Sequence, residues 1–415
     1  MTDERRVVIT GMGVITSVGQ ALDQFWNSIH RGISGGKVLT RFDPRDAPTR
    51  IAAEITDFDA SKYMDAKMAR RLDHSHRYGI AAAKLAAIDS GLDFDSLDAD
   101  VSGIVEGSSA SSNEAAAKAD EGYQRRGYKG VGPFALINGY SGAGSGEIAK
   151  ELNIRGHSIT LSSSSASGND AIGYGLTMIR HEEMDVMLAG AAEAPIAPGI
   201  WGALCLAQVL SRNNAHPKGA MKPFDRTRDG ILLGEGAAYI VMEELSHALS
   251  RGARIYAEIL GHGRSCEAYH PVSPHPDGIG YYNAMHKAFR SARIQPEEID
   301  YINAHGTATD ANDVVETKAI KRTFGSHAYR LAVSSTKPVT GHLLAGSGAV
   351  ETVVCALSIY HQMIPLTLNH NEGGPECDLD YVRGVTRPYP IRTALNLNSG
   401  FGGKNSCLVL RRYAR

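Results

Sequence analysis

Cysteine is scarce in this chain. The 415 residues hold five, Cys205, Cys266, Cys355, Cys377 and Cys407, and none between residues 1 and 204. They are scattered, odd in number and form no CxxC pair. That argues against a disulfide framework or a structural zinc site and fits a reducing cytoplasmic setting. An excess of either charge is also missing. Lys and Arg number 43 against 45 Asp and Glu, a net charge of −2, so no global field exists to attract nucleic acid. Long apolar runs are absent as well. The longest apolar region, 186–210, is interrupted by Glu193, Pro195 and Pro198, short of the roughly 18 clean apolar residues that a membrane span needs. The apolar run after the opening Met-Thr-Asp-Glu-Arg-Arg is too short for a signal-peptide core. What remains is 43% hydrophobic and 21% charged, a globular composition without extensive disorder. The 45 glycines exceed the usual share of about 7%. Without a three-residue period they indicate tight turns and close backbone approaches.

At roughly 100–200 residues per domain the length suits two or three units, or one large pseudo-duplicated α/β unit. The β-branched run 6–10, closed by Gly11, reads as a buried strand. Further strands are expected at 101–105, 185–188, 237–242, 255–260, 299–304, 332–335, 393–396 and 406–410. Helical spacing or composition marks 70–90, 169–180, 244–251, 280–292 and 344–361. This alternation predicts an α/β fold with mixed sheets covered by helices. The series restarts near 252, which divides the chain into halves 1–252 and 253–415. No strong sequence repeat accompanies the division, so duplication is only suspected. The low-complexity stretches Ser108–Ser112 and Ser162–Ser165 read as loops.

Three segments carry chemistry. In Ile159–Gly168 a run of serines ends at Ser165, just before the helical stretch. A side chain there meets orphan N–H groups and the positive end of a helix dipole, which favours a nucleophile or an oxyanion. A Ser-rich helix cap without chemistry is the plainer reading. The second segment is His305-Gly-Thr-Ala-Thr-Asp-Ala-Asn-Asp313, directly after a strand. A histidine at the C-terminal end of a strand is well placed over a cleft, although a lone histidine is more often structural. The third is Lys337–Glu351, with His342 in a Gly-rich turn that opens a helix. It lacks the phosphate-loop and dinucleotide patterns, and neither histidine has a metal-binding spacing.

Taken together, these segments resemble the β-ketoacyl-acyl-carrier-protein synthases, the elongating condensing enzymes of thiolase fold. The resemblance runs from Val7–Gly13 through Phe42-Asp43, Lys67–Asp73, Lys222–Gly236 and Tyr269–Gly278 to Gly400–Asn405. It implies a thiolase-like five-layer αβαβα architecture with two pseudo-duplicated halves. It also implies a catalytic set of Ser165, His305 and His342, with Lys337 fixing the surroundings of the second histidine and Glu351 as a buried acid nearby. In such an enzyme both imidazoles donate to the enolate left by malonyl decarboxylation. Thr307 and Thr309 would bind a phosphopantetheine arm, Phe401 would gate the acyl pocket, and Gly402 of the same loop would be among the substrate-binding residues. Lys67, Arg70, Arg71 and Arg212 match a basic face that meets an acyl carrier protein. The arm travels on that partner, so no metal or resident cofactor is implied. A homodimer, or a heterodimer with a chain-length-factor subunit, is.

The chain departs from the family at its central atom. Ser165 stands where the family has cysteine, and a hydroxyl needs a general base where a thiol does not. The serine reads as an engineered replacement, a natural oxygen nucleophile, or the mark of a non-acylating chain-length-factor-like subunit. The retained His305, His342 and Lys337 argue against the last. Ile231 and Ser399 replace bulkier residues, and Ala110 sits near the pocket floor. A wider channel would suit a polyketide or polyene intermediate more than a short saturated chain, with fatty acid synthesis as the alternative. A degradative thiolase would need a second catalytic cysteine in the C-terminal half, and Cys407 reads as a strand residue.

Overall fold

The computed structural model describes residues 5–110 and 113–414, so Ser111 and Ser112 of the first serine-rich loop lie outside the described residues. Its framework is a ten-stranded sheet. The strands are β1 (Val7–Thr16), β2 (Ser102–Gly107), β3 (His157–Leu161), β4 (Val186–Glu193), β5 (Gly236–Glu244), β6 (Ala257–Cys266), β7 (Tyr301–Asn303), β8 (Ala332–Ser334), β9 (Thr393–Gly400) and β10 (Lys404–Arg411). Their order is β8-β7-β9-β10-β6-β1-β5-β4-β2-β3.

That order contains a repeat which the residues did not display. Counted outward from β1, the first five strands run first, fifth, fourth, second, third. Counted outward from β6, the second five run the same way. Orientation repeats too. The second strand of each set lies parallel to the third and fourth, while the fifth is antiparallel to both its neighbours. The two sets join through Val7, Val8 and Ile9 of β1, which pair with Ile259, Glu258 and Ala257 of β6. The expected pair of mixed sheets is therefore one continuous hydrogen-bonded array, hinged on β1.

Five helices complete the layers: α1 (His74–Ser90), α2 (Ser167–Arg180), α3 (Ile279–Ala292), α4 (Asp310–Phe324) and α5 (Ala345–His361). α1 packs outside β1 and β5, and α3 outside β6 and β10 with α4 against it. Between the two strand sets lie α2 and α5, which touch both sets and each other. This is the five-layer αβαβα arrangement. Buried on both sides, α5 is apolar nearly all round, with Val350, Val353, Val354, Leu357 and Ile359 in the main core. The middle helices meet at glycines. A Cβ on Gly168 would stand 2.6 Å from the Ala349 nitrogen and 2.7 Å from the Ala345 oxygen, and one on Gly348 2.7 Å from the Asn169 nitrogen. Only glycine lets the two backbones approach so closely.

The helix expected over 70–90 is two. A short turn, Ala66–Arg71, stops at Leu72, whose backbone is extended, and α1 restarts after Asp73. The strand runs read from β-branched clusters all sit on real strands, most of them longer than expected. Among the described residues, no helix is long and apolar enough to cross a membrane.

Candidate active site

The repeat decides where chemistry is placed. In each half the third strand leads into a middle helix, β3 into α2 and β8 into α5. Ser165 lies two residues before Ser167, the first residue of α2, and His342 three before Ala345, the first of α5. The same point of the repeat thus delivers a hydroxyl from one half and an imidazole from the other. Both turns are forced into left-handed backbone, with Ser164 at φ 58° and Leu344 at φ 49°. For residues with a Cβ that conformation is costly and must be held by its surroundings. Around Ser165 the hold is tight. The Ser167 hydroxyl accepts from the Ser163 N–H at 2.8 Å and donates to the Ser164 carbonyl at 2.6 Å. Gly400 presses on the same turn, where a Cβ would lie 2.8 Å from the Ser165 nitrogen.

Ser165 Oγ lies 3.2 Å from His342 Nε2, and the ring centroids of His342 and His305 are 5.5 Å apart. All three residues are buried and open onto one cavity of about 420 Å³. Ala110, Ile231, Thr307, Thr309 and Phe401 line it too, as does Ser399. The hydroxyls of Thr307 and Thr309 are 3.0 Å apart, and Phe401 is half exposed, 43%. Gly402 is not on the cavity wall: its N–H turns away to the Pro271 carbonyl, and Gly403 takes the lining position.

Burial, and behind it the Lys337 ammonium, holds both histidines well below their ordinary 6.5. Both rings are therefore neutral at physiological pH. Lys337 Nζ donates to Glu351 Oε1 at 2.6 Å, with both side chains sealed from solvent. Glu351 Oε2 in turn accepts from Asn398 Nδ2 at 2.9 Å, and Asn398 Oδ1 faces His305 Nδ1 at 3.3 Å. The Lys337–Glu351 pair thus reaches His305 through Asn398, and the Lys337 charge also bears on His342, the histidine whose surroundings the resemblance implied it fixes. His342 Nδ1 meets the Ser347 hydroxyl at 2.9 Å.

Three supporting carboxylates went unread in the sequence. Glu316 accepts the N–H groups of His305 and Gly306 at 2.7 and 2.8 Å, and burial pushes it up to about 8. Asp313 accepts from the Phe224 and Ala308 N–H groups. Glu193 accepts from the Ser109 and Ala110 N–H groups and the Ser109 hydroxyl, which pins the part of the cavity wall that these two residues form. Only Glu193 left a sequence signal, an acid at the end of the apolar run 186–192, whereas Asp313 and Glu316 lie in the charged stretch 310–324.

Of the basic set, Lys67, Arg70 and Arg212 are exposed. Arg71 is not a free docking cation. It makes a bidentate pair with Glu147 at 2.6 and 2.8 Å and lies over the Phe134 ring. Among the described residues, no group of His, Cys, Asp and Glu is arranged to hold a metal ion.

A buried hydroxyl within reach of one neutral imidazole and sharing a cavity with a second, set between two copies of one α/β half, is the kind of site a thiolase-like condensing enzyme has. Comparison with known proteins goes one step further. The model of the β-ketoacyl synthase N-terminal domain matches residues 4–248, and that of the C-terminal domain matches 256–371. The chain is 40% identical over 410 residues to 3-oxoacyl-[acyl-carrier-protein] synthase 2 of Coxiella burnetii, covering 99% of each. It is 38% identical over 411 residues to the synthase of the same name from Synechocystis sp., again covering 99% of each. Among solved structures, a chain of the ishigamide ketosynthase/chain length factor matches with a TM-score of 0.93 and 34% identity, over 99% of this chain and 100% of that one. The AntDE:AntF assembly, a type II PKS acyl-carrier protein in complex with its ketosynthase bound to the hexaketide, matches with a TM-score of 0.89 and 31% identity, over the same shares. The chain belongs to the β-ketoacyl synthase family.

Proposed function

We propose that the chain performs decarboxylative Claisen condensation of a Ser165-bound acyl group with malonyl-acyl-carrier protein, giving a β-ketoacyl-carrier protein. The observation that carries this is the 3.2 Å approach of Ser165 Oγ to His342 Nε2, in the cavity that also holds His305. The hydroxyl attacks the incoming acyl thioester and its proton passes to His342 Nε2. The carbon–sulfur bond breaks, and the departing pantetheine sulfur takes that proton. Malonyl-carrier protein then enters. Its bond to the carboxylate breaks, CO2 leaves, and the electron pair becomes an enolate whose carbon attacks the serine ester. The carbon–oxygen ester bond breaks, and the Ser165 alkoxide takes one proton from solvent, relayed through His342, to restore the hydroxyl. The phosphopantetheine arm comes on the carrier protein, passing Thr307 and Thr309, and the chain holds no cofactor of its own in this reading.

The wide, mainly apolar cavity around Ala110, Ile231 and Ser399 favours a polyketide or polyene chain over fatty acid synthesis. The same reading expects the family's dimer. The sheet ends at β3, which pairs only with β2 among the described strands. The segment before β3 exposes Phe134, Leu136, Ile137 and Tyr140. A second copy, or a chain-length-factor subunit, fits there. A non-acylating role for this chain is favoured by Ser165 alone and opposed by the complete His305, His342 and Lys337 set.

The test compares this chain with Ser165→Cys. Acyl transfer, followed by intact mass after incubation with acyl-carrier protein, rises strongly in the cysteine variant, while malonyl decarboxylation changes little. Equal acylation of the two proteins counts against the oxygen-nucleophile mechanism, and absence of decarboxylation in both against a condensing role.

A further inference from the structure

The two imidazoles of the cavity differ in what holds their far nitrogen. We infer that Asn398 is a positioning residue that fixes the proton of His305 on Nδ1, so that this ring offers the cavity a lone pair while His342 alone can offer an N–H.

A backbone carbonyl can accept a hydrogen bond but cannot donate one. The Gly348 carbonyl accepts from Asn396 Nδ2 at 2.9 Å, and this fixes which end of the Asn396 amide is nitrogen. Asn396 Oδ1 is then an acceptor, and Asn398 Nδ2 donates to it at 3.0 Å. The other hydrogen of Asn398 Nδ2 goes to Glu351 Oε2 at 2.9 Å. Glu351 is an acceptor there because its second oxygen takes the Lys337 ammonium at 2.6 Å. With both amide hydrogens spent, Asn398 can turn only its oxygen to His305. An oxygen 3.3 Å from Nδ1 requires a hydrogen on that nitrogen. A neutral imidazole has one N–H, so Nε2 of His305 carries the lone pair. His342 is held differently. Its Nδ1 faces the Ser347 hydroxyl, which also accepts from the Leu343 N–H at 3.0 Å. A hydroxyl can donate to Nδ1 or accept from it, so either tautomer of His342 fits. That is what the ring needs if it takes the proton of Ser165 in one step and hydrogen-bonds an enolate oxygen in the next. The expectation that both rings donate therefore holds for His342 alone.

The proton position stands on geometry. Its consequence for turnover rests on the condensing reading above, and the experiment separates the two. With histidine labelled by nitrogen-15 and His305 assigned by its loss in His305→Gln, the full-length protein shows the His305 proton on Nδ1. In Asn398→Leu, similar in size but unable to accept, the preference is lost and Nε2–H signal appears, while the His342 signals stay. Asn398→Asp, which keeps an oxygen toward the ring, retains Nδ1–H. Decarboxylation kcat in the Leu variant falls about a hundredfold with KM little changed. An Nε2 proton on His305 in the parent protein, or an unchanged tautomer in a folded Asn398→Leu, overturns the inference. An Nδ1 proton in a parent chain that neither acylates nor decarboxylates sinks the condensing reading and leaves the tautomer assignment standing.

Discussion

Ser165, His305, His342, Lys337 and Glu351 were readable as single residues because each belongs to a short motif that ends a strand or opens a helix. Asn398 and Glu316 were not, because their meaning lies wholly in partners. The Asn398 amide takes its meaning only when the Asn396 amide oxygen and the Glu351 carboxylate from α5 meet it. Arg71 erred the other way: a basic run suggests a docking cation, but Glu147 claims it. Residue-scale burial also predicts a pH effect. Glu106, fully buried with its Oε1 taking the Tyr239 hydroxyl at 2.9 Å, is pushed up by desolvation to about 7. The folded protein therefore binds a proton that the unfolded chain, near 4.5, has released. Its contribution is greatest at the acid end and is lost as pH rises from about 4.5 to about 7, with a slope of up to about 1.4 kcal/mol per pH unit. His76, His305 and His342, all depressed by burial, give the opposite slope below about 6.5. The effect is thus read as a difference. In urea titrations across this range, the parent loses stability relative to Glu106→Gln as pH rises; a constant difference contradicts the shift.

Elements were the most legible scale. β-branched runs gave strands, and the helix after Ser165 began within two residues of its expected start. What sequence could not supply was packing partners. Nothing in Gly168 or Gly348 says that α2 and α5 cross there, because closeness of two backbones is a property of the pair. Gly168→Ala places its methyl against the backbone of α5, which cannot rotate away as a side chain would. Overpacking of this kind costs about 1–3 kcal/mol. It should also widen the gap between Ser165 and His342, since one leads into each helix. The expected outcome is a lower thermal midpoint together with a larger loss of acyl transfer than of stability. Unchanged acyl transfer in a destabilised variant would show that the crossing does not set the catalytic distance.

For the whole molecule, the α/β class followed from the alternation of elements, whereas the duplication, implied by the resemblance but absent as a residue repeat, is visible in strand order. The halves keep the same connections after their residues have diverged. Surface behaviour follows at this scale as well. Lys67 and Arg70 remain exposed, and attraction between an acidic carrier and such a face is screened over about 10 Å at 0.1 M salt. The double variant Lys67→Glu/Arg70→Glu should raise KM for carrier-bound substrate, with the gap closing as salt increases. Turnover of a small pantetheine thioester should be unaffected. An equal effect on both substrates would place the damage in the fold instead of in docking.

β1 pairs with β5 along its length and with β6 through Val7–Ile9, so β1, synthesised before either, waits for both its neighbours. At translation speeds of about 5–20 residues per second, that wait is on the order of ten to fifty seconds. Throughout it, the growing polypeptide carries an open, apolar β-edge of the kind that seeds aggregation. A gene cut between the two halves would leave that liability permanent in the leading fragment, so the shared strand ties the fate of both halves to uninterrupted synthesis.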